Sequence, residues 1–178
     1  MNLPNSLTIL RILAIPVFVI CLLGGRYGMA LFVFVGAGIT DGLDGLFARL
    51  YHQRTRTGAF LDPLADKLML AAAYVVLAIL QLIPQWLTVL VIARDVIIAL
   101  GILILFLTSH SVEIKPLFLG KTVTVLQIIT VAWALVTPYS LLMQDTLLYA
   151  IWVTAVLTCV TGLQYIYIGT KYLTKQGG

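Results

Sequence analysis

The sequence predicts an all-α polytopic membrane protein with six transmembrane helices in a single domain, residues 1–178. Composition is the first ground: 61% of the residues are hydrophobic and 10% are charged, with a mean hydropathy of +1.07. A soluble domain carries about a quarter charged residues, so no water-facing surface can be built from this chain. The second ground is length, because at about 20 residues per span the chain is used up by six helices and short connections. That excludes an extramembrane nucleic-acid-binding or signalling module. The third is the pattern of breaks between apolar runs.

The first run, Leu7 to Leu23, has no basic segment before it and no small-residue cleavage site, and is expected to be a retained helix rather than a signal peptide. It ends at Gly24-Gly25, a turn dipeptide. The second, Met29 to Leu50, stops at the polar connection from Tyr51 to Gly58, and the third runs from Phe60 to Leu80. In the third, Pro63 can either start a helix or kink one already under way. Ile83-Pro84 precedes the fourth run, Trp86 to Leu107, and Ser109 to Pro116 separates it from the fifth, Leu117 to Val136. Pro138 to Asp145 leads into the sixth, Leu147 to Ile168. Cys21 and Cys159 both sit in apolar runs, which argues against a disulfide framework.

Eleven basic residues against seven acidic give a net charge of +4, and their placement matters more than their sum. Arg54, Arg56, Lys115, Lys171 and Lys175 fall in alternate connections, with Arg49 and Lys121 at helix ends on the same side. The other side has Arg26. By the positive-inside rule both termini and the Tyr51 to Gly58 connection are expected to be cytoplasmic, in a bacterial inner or plasma membrane.

Of the seven acids, Asp41, Asp44, Asp62 and Asp66 flank one short connection. A charge in hydrocarbon costs about 3 kcal/mol or more, so such a cluster must be paired, metal-bound or in a wet cavity. Asp41 and Asp44 are spaced i,i+3, and Asp62 and Asp66 i,i+4, so each pair shares a helix face. Oxygen-only ligands suit Mg²⁺ or Mn²⁺ better than zinc. Pairing with Arg49, Arg54, Arg56 and Lys67 at the membrane boundary is the plainer alternative. A small transporter or channel is the other, but its acids would be spread along a path through the membrane. His52 and His110 lack metal-ligand spacing, and no serine has a triad setting.

Residues 41 to 66 read DGLDGLFARLYHQRTRTGAFLDPLAD, or Asp41-x2-Asp44-Gly45-x2-Ala48-Arg49-x8-Gly58-x3-Asp62-x3-Asp66. This stretch resembles the signature of the CDP-alcohol phosphatidyltransferases, and NLPNSLTILRILAIPVFV at residues 2–19, IARD at 92–95 and GKTVT at 120–124 resemble other segments of that family. The resemblance implies an enzyme of phospholipid biosynthesis that moves a phosphatidyl group from CDP-diacylglycerol to an alcohol and releases CMP. It implies metal binding by Asp41, Asp44, Asp62 and Asp66, with Asp66 also the base for the acceptor hydroxyl. It implies donor contacts from Asn5, Thr8, Gly45, Ala48, Arg49 and Gly58. Arg94, about ten residues into the fourth run, and Lys121 are the expected acceptor-binding cations. A homodimer is also implied.

Family members that take glycerol 3-phosphate usually carry GKxKT, and here Val123 replaces the second lysine. The amino-terminal segment and the DPLADK context favour glycerol 3-phosphate, while IARD and GKTVT also resemble members whose acceptor is phosphatidylglycerol.

Overall fold

The computed structural model describes the backbone of residues 3–50, 56–108, 118–139 and 142–176, and the side-chain surroundings of 10–40, 65–104, 119–139 and 144–171. It contains six α-helices among the described residues: α1 Leu3–Leu23, α2 Tyr27–Leu50, α3 Arg56–Ile79, α4 Gln85–Thr108, α5 Phe118–Val136 and α6 Leu142–Gln176. A single 3₁₀ turn, Thr137–Tyr139, joins the last two. These bounds follow the apolar runs closely. Pro63 lies well inside α3, so it does not start that helix. The sixth helix is the one that departs most, since it begins at Leu142 and reaches Gln176. Asp145 in its first turn complements the positive end of the helix dipole, which lets the helix begin before the apolar run does.

The first connection is built as a Schellman turn. Arg26 N–H donates to the Cys21 carbonyl at 2.9 Å and Gly25 N–H to Leu22 at 3.0 Å, with Gly25 at φ 69°. The α3–α4 turn uses the same geometry without glycine. There Gln81 takes φ 59° and Leu82 N–H donates to Leu77 at 3.0 Å, a conformation that gives no glycine signal in the sequence.

α1 packs against both α2 and α3, while α6 lies against α4 and α5, and α3 bridges the two groups through α4 and α5. The core is a seam of apolar side chains including Phe18, Leu22, Phe34, Ala73, Tyr74, Leu77, Leu87, Val131 and Leu135. Large apolar side chains also cover the outside: Phe32 is 82% exposed and Ile20 69%. In water such a surface would aggregate, whereas in hydrocarbon it is the ordinary outer face. Trp86 at the start of α4 packs against Trp152 of α6, ring centroids 5.4 Å apart and planes tilted by 41°, at the end of the bundle where aromatic residues favour the lipid headgroup zone. Gln85–Ile104, Leu119–Tyr139 and Gln144–Lys171 are long and apolar enough to cross a membrane, and Leu10–Leu23 and Tyr27–Thr40 are shorter apolar stretches. The chain is a membrane protein built from helices.

Thr130 of α5 and Thr154 of α6 fix the register of the last two helices through a 2.8 Å hydroxyl bond. Measured from that bond, Gly120 lies toward the start of α5 and Tyr165 toward the end of α6, each about 15 Å away along its axis. The antiparallel pair therefore brings Gly120 and Tyr165 to one depth, next to Arg94 of α4.

Candidate active site

Two ion-pair nodes form on neighbouring residues of α3. Asp66 accepts from Arg11 of α1, Nη1 to Oδ1 at 2.9 Å. Lys67 turns to α4 and donates its Nζ to both carboxylate oxygens of Asp95 at 2.7 Å. Successive residues of a helix point about 100° apart, so one α3 turn can address α1 and α4 together. The Arg11 side chain is almost fully buried, while that of Asp66 is 42% exposed. A carboxylate so placed is anchored by a buried cation and remains part-exposed.

Asp95 also accepts from its neighbour Arg94, Nη1 to Oδ1 at 2.8 Å, so it carries two cations from two helices. Arg94 is 5% exposed and lies over the Tyr165 ring, 5.9 Å from its centroid, a cation–π contact with α6. The stem of Arg94 lies against Gly162. A Cβ added at Gly120 would lie 3.0 Å from the Tyr165 hydroxyl oxygen and 3.5 Å from Arg94 Nη2. The glycine therefore lets α5 come close to the guanidinium, and Lys121 follows it on the exposed side of the helix. Gly120→Ala should push the Tyr165 ring tip aside by a few tenths of an ångström and weaken acceptor binding a few-fold while leaving the fold intact. Acceptor KM measured beside the melting temperature checks this.

The sequence placed a base at Asp66 and acceptor cations at Arg94 and Lys121, and the structure brings Asp66 within one residue of the network that holds Arg94. Asp41, Asp44, Gly45, Ala48 and Arg49 fall within α2, Asn5 and Thr8 within α1, and Gly58 and Asp62 within α3. Their side chains lie outside the described residues. The pairing of Arg11 with Asp66, the double grip of Lys67 on Asp95 and the contact of Arg94 with Tyr165 were not assigned from sequence. Lys67 reads there as a boundary cation, and Tyr165 as one aromatic residue in a tyrosine-rich helix.

Among the described residues, a bundle of apolar helices holds two buried guanidinium groups, Arg11 and Arg94, each paired with a carboxylate, in a membrane protein. The family comparison makes that specific. The model of the CDP-alcohol phosphatidyltransferases matches residues 1–160, and the chain belongs to that family. It is similar to the CDP-diacylglycerol–glycerol-3-phosphate 3-phosphatidyltransferase of Bacillus subtilis, 35% identical over 92% of this chain and 93% of the relative. It is 36% identical to the Escherichia coli protein of the same name over 98% of both chains. The human cardiolipin synthase (CMP-forming) is 33% identical over 96% of this chain and 62% of the relative.

Proposed function

We propose that this protein transfers a phosphatidyl group from CDP-diacylglycerol to glycerol 3-phosphate, giving phosphatidylglycerophosphate and CMP, at the cytoplasmic face of the membrane. The observation that carries it is the pairing on α3: Asp66, a half-exposed carboxylate, stands next to a Lys67–Asp95–Arg94 cluster of net positive charge. The first suits a hydroxyl proton and the second suits an acceptor phosphate. The names of the bacterial relatives support the same donor and acceptor.

In the reaction the acceptor hydroxyl oxygen attacks the phosphatidyl phosphorus, the bond from that phosphorus to the bridging oxygen breaks, and CMP leaves with that oxygen. Asp66 takes the hydroxyl proton, with Arg11 holding its carboxylate in place. Asp41, Asp44, Asp62 and Asp66 would hold Mg²⁺ or Mn²⁺, and an all-oxygen donor set that includes the part-exposed carboxylate of Asp66 fits a hard divalent cation. When bound, the ions neutralise the donor pyrophosphate and the departing charge. Arg49, Gly45, Ala48, Gly58, Asn5 and Thr8 are assigned to the donor nucleotide, and Arg94 and Lys121 to the acceptor phosphate. The family's homodimer is carried with this reading.

CMP release by the purified protein, with acceptors omitted one at a time, tests the assignment. Release that depends on glycerol 3-phosphate supports it. Release only with phosphatidylglycerol moves the assignment to a CMP-forming cardiolipin synthase, a reading that Val123 in GKTVT and the human relative favour.

The cytoplasmic placement has its own check. A cysteine at Gln53, with Cys21→Ala and Cys159→Ser in the background, should react with an impermeant thiol reagent only in inverted or opened vesicles. Labelling from outside intact cells would reverse the topology.

A further inference from the structure

We propose that Lys67 is a direct ligand of the acceptor phosphate and that Asp95 is the positioning residue that holds it beside Arg94. The inference rests on the reading that glycerol 3-phosphate is the acceptor.

Two of the three N–H donors of the Lys67 ammonium go to the Asp95 oxygens, both at 2.7 Å. Its side chain remains 39% exposed, so the third donor has room to meet a ligand. Arg94 is placed differently. Its side chain is 6% exposed, Nη1 is committed to Asp95, the face of the group lies over Tyr165, and only the Nη2 edge looks across the bare Gly120 backbone. Arg94 Nε is buried with no partner among the described residues. A buried arginine held this way supplies a fixed field and one edge. An exposed lysine beside it supplies a movable point charge.

One carboxylate against two cations leaves the cluster at +1, suited to a phosphate. Without Asp95 the two cations would repel, so the carboxylate makes their closeness possible. Val123 of α5 is fully buried in the bundle and offers no charge to the acceptor. Lys67 adds a positive charge from another helix. It is also the residue after Asp66, so a small acceptor with its phosphate on Lys67 keeps its hydroxyl near the proposed base. Phosphatidylglycerol, a phosphodiester with one negative charge, gains less from the same contact than a phosphate monoester.

The test uses the purified full chain in detergent with CDP-diacylglycerol saturating and glycerol 3-phosphate varied. Lys67→Gln should raise the glycerol 3-phosphate KM roughly 10- to 150-fold, the span of a lost charge-assisted contact, with donor KM unchanged and kcat within a few-fold. Lys67→Arg should recover much of the loss, and Asp95→Asn should raise the same KM. Where Asp95→Asn does not fold, because Arg94 loses its carboxylate, the two Lys67 variants decide, since that side chain is part-exposed. An unchanged KM in Lys67→Gln, with or without a lower melting temperature, overturns the inference and leaves the acceptor reading standing. A wild-type protein that releases no CMP with glycerol 3-phosphate overturns the reading itself.

Discussion

Asp66→Asn is expected to lower turnover by roughly 10²- to 10⁴-fold, the usual contribution of a positioned general base, while both substrates still bind. The asparagine keeps the shape and still accepts a hydrogen bond from Arg11, so the packing of α1 on α3 should survive. What it removes is the negative charge that receives the hydroxyl proton. Metal affinity should fall as well if Asp66 is shared with an ion. Single-turnover kinetics combined with Mn²⁺ titration separate the two effects. Turnover near wild type would reject Asp66 as the base.

The other large effect concerns the ion site. Excess EDTA should abolish CMP release and added Mg²⁺ or Mn²⁺ should restore it. Asp41→Asn, Asp44→Asn and Asp62→Asn should each be close to inactive while eluting from size-exclusion chromatography like the wild type. Carboxylates that share one ion site repel one another, so on this reading removing one charge should leave stability unchanged or raise it slightly. Loss of activity without loss of fold is therefore the expected signature. Full turnover in EDTA would remove the metal from the mechanism.

How much of this was legible depends on which kind of signal a residue leaves. The helices were legible because apolar runs of span length leave little choice, and the bounds of α4 and α5 lie within one residue of the runs that predicted them. The turn at Gln81 was not, because a left-handed residue other than glycine has no compositional mark. The acids of residues 41–66 were legible as a spacing pattern within one segment. Pairings between distant segments were not: Arg11 meets Asp66 across 55 positions and Lys67 meets Asp95 across 28. Only the packing of α1 and α4 on neighbouring faces of α3 decides those partners. Arg94 was recognised as too deep to be an ordinary boundary charge, and its burial under Tyr165 supplies the reason it can stay there.

Arg94 and Asp95 are chain neighbours that bond to each other within α4 at 2.8 Å. This gives the helix a property that matters before the bundle exists. Arg94 and Asp95 are the only charged residues of α4, so during biosynthesis the helix meets lipid with no net charge rather than with an isolated ion, which costs about 3 kcal/mol at mid-membrane on biological insertion scales. Lys67 belongs to α3 and joins the pair only when the two helices dock. The polar centre can thus be delivered to the membrane in pieces, and completed by helix association.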